Sequence, residues 1–112
     1  LLSLYGNILR RMDELRRLQE WYASQCDGDW EHEYGIQIET LDNPGWSVEI
    51  DLAETELEGV EYAAVKDLAP EREWVHTRVE GAKFQGDGGP PMLAVILRHF
   101  LEWAATIRRA AV

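Results

Sequence analysis

Cys26, Asp27, Asp29, Glu31, His32 and Glu33 set a thiol, an imidazole and four carboxylates within eight consecutive positions, the one stretch of this chain where side-chain types alone suggest chemistry. Thiolate, imidazole and carboxylate are the usual donors to zinc and related metals, so a metal site is the first chemistry to weigh. The spacing argues against it. A structural zinc site takes its donors from paired motifs, whereas this chain has a single Cys and no second Cys/His pair at zinc-finger spacing. His76 and His99 lie on other predicted elements, and nothing in the sequence brings them to the same point. A capped helix end followed by a polar turn is the simpler use of Asp and Gly here.

Nucleophilic catalysis is no better supported. Cys26 and His32 could form a dyad, but no Asn or Asp at a recognisable spacing orients the imidazole, and a lone Cys at a helix end is more often buried, inert packing. Carboxylate pairs are too numerous on so acidic a chain to single out acid and base roles. Gly86-Asp87-Gly88-Gly89 precedes a helix as a phosphate loop does, yet it lacks the Gly-Lys-Ser/Thr ending and the βαβ setting. No catalytic residue, metal ligand or cofactor is expected.

The elements that must position these residues follow from hydrophobic periodicity. Leu4, Ile8, Met12, Leu15, Leu18 and Tyr22 recur at three- and four-residue spacing, the stripe of an amphipathic helix. Asp27-Gly28 ends it, because Gly28 can take the left-handed conformation of a helix stop. Tyr34, Ile36 and Ile38 then alternate with Gly35, Gln37 and Glu39. After an Asp42-Asn43-Pro44-Gly45 turn, Trp46, Val48, Ile50 and Leu52 alternate with Ser47, Glu49 and Asp51. This predicts an antiparallel hairpin over 34–40 and 46–52, with one dry and one acidic face.

Further strands are predicted over 60–68, 73–80 and 82–85, with turns near Pro70 and Gly81. Residues 86–91 read as a flexible break before a second helix over 91–109, whose stripe is Leu93, Ile96, Leu97, Phe100, Ala104 and Ile107. Arg108-Arg109 suits the negative end of its dipole. The fold class is therefore α+β: an antiparallel β-sheet of four or five strands with an N-terminal and a C-terminal helix packed on one face. Ile36, Ile38, Val48, Ile50, Leu97 and Phe100 are the expected core.

Five Trp and a 46% hydrophobic fraction mark a folded globule, and 112 residues fit one domain. Met12 stands where such a chain could begin, so residues 1–11 read as an N-terminal extension. One Cys makes no internal disulfide, and no apolar run approaches the roughly 18 residues that cross a bilayer, so a cytoplasmic protein without membrane contact is expected. Charge is unevenly placed: residues 27–80 carry 16 Asp and Glu against 3 Lys and Arg, while both flanks are slightly basic. Such a field repels nucleic acid and steers basic partners, although solubility alone would also account for it. Trp46 and Trp103 read as core or boundary residues. Trp30, between Asp29 and Glu31, is either an exposed interface anchor or a lid on the core end.

Gln25-Cys26-Asp27-Gly28-Asp29-Trp30-Glu31-His32 followed by Glu33-Tyr34-Gly35-Ile36 resembles the immunity protein 53 family of bacterial polymorphic toxin systems. Leu18-Gln19-Glu20-Trp21-Tyr22 before this stretch, with Thr40 to Trp46 and Ile50-Asp51-Leu52 after it, extends the resemblance, which runs from about Leu18 to about Trp103. The segment over 60–72 departs most from the pattern, and the Trp30-Glu31 pair matches it. The resemblance implies an immunity protein that binds and neutralises a cognate toxin without catalysis. Joined to the charge pattern, it points to a toxin with a basic surface, met by Glu39, Glu49 and Asp51 on the acidic strand face and by Trp30 and Glu31 at the junction. The rival readings are a small enzyme or ligand-binding domain with a pocket near Cys26, Trp30 and His32, and a homo-oligomeric structural subunit.

Overall fold

A computed structural model of the protein describes residues 13–68 and 71–110. Helix α1 spans Glu14–Gln25; Leu4, Ile8 and Met12 of the predicted stripe lie outside the described residues. Within α1 the stripe is rotated from expectation. Leu18 is buried as predicted, but the inward neighbours are Glu14 and Trp21, whereas Leu15 and Tyr22 are 61% and 38% exposed. Two causes are visible. The Trp21 indole offers more apolar area than Tyr22 and stacks edge-on against Phe100 at 4.9 Å, and the buried Glu14 carboxylate meets the Arg98 guanidinium at 2.9 Å.

Gly28 adopts φ +98°, the left-handed stop read from the sequence. A one-turn helix α2 (Trp30–Glu33) then intervenes before strand β1 (Ile36–Leu41). Strands β2 (Gly45–Asp51), β3 (Val65–Asp67), β4 (Val75–Glu80) and β5 (Lys83–Gly88) follow, and helix α3 (Leu93–Ala110) closes the fold. The sheet is antiparallel throughout, in the order β1-β2-β5-β4-β3. Helix α3 lies across β4 and β5, and α1 packs beside it on the same side.

The predicted strand over 60–68 contracts to three residues, because the preceding segment folds into turns pinned by Leu57, which is fully buried, and by the Thr55 hydroxyl donating to the Leu52 carbonyl at 2.7 Å. Residues 86–88 are not a flexible break. They are the second half of β5, in mid-sheet beneath α3, where a β-carbon on Gly86 would collide with the Ile96 Cγ2 methyl and one on Gly88 would stand 3.0 Å from the Met92 Cβ. Glycine here lets a helix approach a strand closely.

In the register of the hairpin, Ile36 faces Ile50 and Ile38 faces Val48. Val48, Ile50, Leu97 and Phe100 are buried as expected, whereas Ile36, on the edge strand, is only partly buried. Ile38 is not buried: it lies on the helix side, but β1 is an edge strand beyond the cover of the helices, and the side chain is 39% exposed.

Candidate functional site

The junction between α1 and β1 is held by its own carboxylates. Asp27 Oδ1 accepts the Asp29 and Trp30 amides at 2.9 and 3.0 Å, and Glu31 accepts the Asp27 and Gly28 amides at 3.0 and 2.9 Å. The Trp30 and Asp29 amides hold the Asp27 carboxyl below its usual range. These two acids therefore satisfy amide donors that a helix end leaves open. Glu31, expected to touch a toxin, has both oxygens committed to backbone.

Trp30, also expected there, is 4% exposed. Its indole N–H donates to the Ala53 carbonyl at 2.9 Å, and its ring meets those of Trp21, Tyr22 and Tyr34 at about 6 Å. A wedge this well packed is the lid of the core end, and neither Cys26 nor His32 is among its ring partners. Cys26, expected to be buried, is exposed just past the end of α1, with its thiol 3.3 Å from the Tyr22 carbonyl oxygen. Among the described residues, no three His, Cys, Asp or Glu side chains are placed to share a metal ion.

Glu39, Glu49 and Asp51 share the sheet face away from the helices, as strand phase predicts. They are not three uncompensated charges side by side. Lys83 of β5 reaches between two of them, its Nζ 2.9 Å from Glu49 Oε1 and 3.2 Å from Asp51 Oδ1. The bonds to Glu49 and Asp51 in turn raise the Lys83 ammonium above its ordinary value. Asp51 Oδ2 also accepts the Gly35 amide at 2.9 Å. Farther along the face Arg78 pairs with Asp87 at 3.0 Å. Glu39 stands open on the edge strand, opposite Ser47. The face is thus mixed in charge rather than acidic throughout, since β5 and β4 supply the basic partners that hairpin phase could not reveal.

Uncompensated acid collects instead at the α2 end of the molecule. Partial burial, followed by the nearby carboxylates of Glu54, Glu33 and Glu58, pushes the Tyr34 hydroxyl above its usual value. Asp29, Glu33, Glu54 and Glu58 enter no ion pair among the described residues. A shallow groove of about 290 Å³ links this end to the sheet face, bordered by Glu33, Tyr34, Gln37, Glu49, Asp51 and Lys83. The structure therefore brings Glu49 and Asp51 to the same groove as Glu33, leaves Glu39 out of its lining, and packs Trp30 against Tyr34 of its rim.

Glu56 carries no signal in the sequence that marks it as a site. One carboxylate oxygen accepts the Trp21 indole N–H and the Arg108 Nε at 3.1 Å each, and the other accepts the Gln25 amide at 2.9 Å, tying the loop after β2 to both long helices. No local spacing signals such a hub, because its partners come from both ends of the chain. Burial alone would raise its carboxyl, but the bonds from its own backbone, Gln25 and Arg108 outweigh that and hold it low. A carboxyl lowered on folding stabilises above its unfolded value, and the contribution is lost as pH falls through the folded one. Glu56→Gln is thus expected to be less stable than the parent at pH 7, by about 1 kcal/mol because the site is part-exposed. The difference should shrink as pH falls through the lowered folded value, which urea unfolding across acidic pH would show.

Residues 15–105 match the family model described as Immunity protein 53. No curated protein and no solved structure matches the chain. The matched span begins in α1, takes in the junction, all five strands and the groove between them, and ends within α3. The chain belongs to the immunity protein 53 family, and with it to the immunity proteins of bacterial toxin systems.

Proposed function

We propose that the protein neutralises a cognate polymorphic toxin in the cytoplasm by stoichiometric binding, without catalysis, docking its acidic α2 end and the adjoining groove onto a basic surface of the toxin. One observation carries this reading: Glu33, Glu54 and Glu58 lie together near the Tyr34 hydroxyl without a cationic partner among the described residues, while on the sheet face Glu49, Asp51 and Asp87 are paired. Single-sign charge gathered at one end of a small protein steers an oppositely charged partner and disfavours nucleic acid. Glu39 extends the acidic field along the edge strand. Glu49 and Asp51 contribute through the groove while holding Lys83, and Trp30 and Glu31 fix the shape of the junction. Inhibition is by occlusion. Among the described residues no helix is long and apolar enough to cross a membrane, and the proposal needs no membrane.

The test is binding kinetics with the toxin domain encoded beside the immunity gene. Reversing Glu33, Glu54 and Glu58 to Lys is expected to slow association by roughly 10- to 100-fold at low salt. Reversing Glu39, Glu49 and Asp51 slows it less, since two of those charges are already paired. The parent on-rate should fall as ionic strength rises. Both triple variants binding and protecting like the parent at low salt would sink the proposal.

A further inference from the structure

The sheet has two unlike edges. β3 is only three residues long, short enough to make a poor template for a further strand. β1 offers six residues, without a proline or lysine to guard it. Its hydrogen-bond phase is fixed by the Asp51 amide, which donates to the Gly35 carbonyl at 3.0 Å. In an antiparallel ladder the residues that bond to the partner alternate, so Gln37 and Glu39 turn their amides and carbonyls toward β2. Ile36, Ile38 and Thr40 turn theirs outward, where no described strand meets them.

The two sides of this edge differ in chemistry. On the helix side an apolar groove of about 330 Å³ runs between α1 and β1, bordered by Leu18, Gln19, Tyr22, Gly35 and Ile36. Tyr22 of this lining, Leu15 one helical turn before Leu18 and Ile38 two strand positions beyond Ile36 are three of the four large apolar side chains exposed among the described residues. On the other side of the same strand stand Gln37 and the open carboxylate of Glu39. A strand laid on this edge would turn alternate side chains into the apolar groove and the rest toward Glu39.

Resting on the toxin-binding reading above, we propose that the cognate toxin adds an extended segment to the outer edge of β1, its side chains alternately apolar toward the α1–β1 groove and basic toward Glu39. Backbone pairing supplies the register. The groove and Glu39 select which segment fits.

The experiment is residue-resolved hydrogen exchange on the full chain, alone and with the toxin domain encoded beside it. The amides of Ile36, Ile38 and Thr40 are expected to exchange fast in the free protein and at least about tenfold more slowly in the complex, while Gln37 and Glu39 stay slow in both. Ile38→Pro is the matching variant: its outward amide is dispensable to the sheet, so the fold survives while the edge is blocked. It should weaken toxin binding by at least about tenfold. Tight toxin binding without protection of those three amides overturns the edge assignment and leaves the charge-driven reading standing. Should Ile38→Pro not fold, a peptide of eight alternating Val and Lys residues decides the matter independently of the toxin. Binding to the parent protein should be lost on N-methylation of one alternate set of its amides and kept on methylation of the other, and indifference to both sets overturns the proposal. Protection of the three amides in the free chain also overturns it: if concentration-dependent, it assigns the edge to a second copy, and otherwise to residues 1–12 of the same chain.

Discussion

Trp30→Ala is expected to remove about 3–5 kcal/mol of stability. Its indole is 4% exposed and touches three other aromatic rings, so truncation leaves a large cavity at the end of the core. A second loss adds to the first: the Ala53 carbonyl forfeits the indole N–H that it accepts at 2.9 Å. Trp30→Phe separates the two. It keeps most of the ring packing but leaves that carbonyl without its donor, and should cost about 1–3 kcal/mol. Denaturant unfolding of both variants measures the difference. Because the bond to Ala53 holds the segment carrying Glu54 and Glu58 against the junction that carries Glu33, Trp30→Phe should also weaken toxin binding at temperatures where it remains folded. A Trp30→Ala protein as stable as the parent would mean that the ring lies outside the core and would return it to the role of an exposed anchor.

What the sequence could and could not show divides along the range of the interactions. The β1–β2 hairpin was legible because its alternation and its Asn43-Pro44-Gly45 turn are local, and the α3 stripe was legible for the same reason. Gly86 and Gly88 looked like a loop because glycine weakens a strand in isolation; what makes them strand residues is the approach of Ile96 and Met92 from α3. The acidic face was read correctly in phase and incorrectly in charge. Strand phase places Glu49 and Asp51 together, but only the β2–β5 pairing, across 34 residues of sequence, brings Lys83 to Glu49. Glu56 was invisible on the same ground. Trp30 was ambiguous because charged neighbours on both sides, Asp29 and Glu31, are what a surface anchor and a capped buried turn have in common.

Ile50→Ala and Ile38→Ala form the sharpest internal comparison, since the same side chain is removed from the same face of the same sheet. Ile50 sits on β2, between Ile36 of β1 and Phe84 of β5, and is fully buried. Its truncation leaves a void that flanking strands cannot collapse into, so the loss combines transfer and cavity terms and should reach about 2–5 kcal/mol. Ile38 lies one strand outward and is 39% exposed. Water already reaches it, no enclosed cavity forms, and the cost should stay below about 1 kcal/mol. Equal losses at the two positions in urea unfolding would show the hairpin register to be wrong. The functional order is expected to be the reverse of the stability order. Ile50→Ala should leave toxin affinity near the parent value wherever it remains folded, because its side chain meets no partner. Ile38→Ala should weaken binding by several-fold despite its stability, because it removes apolar surface from the edge on which the toxin segment is proposed to lie.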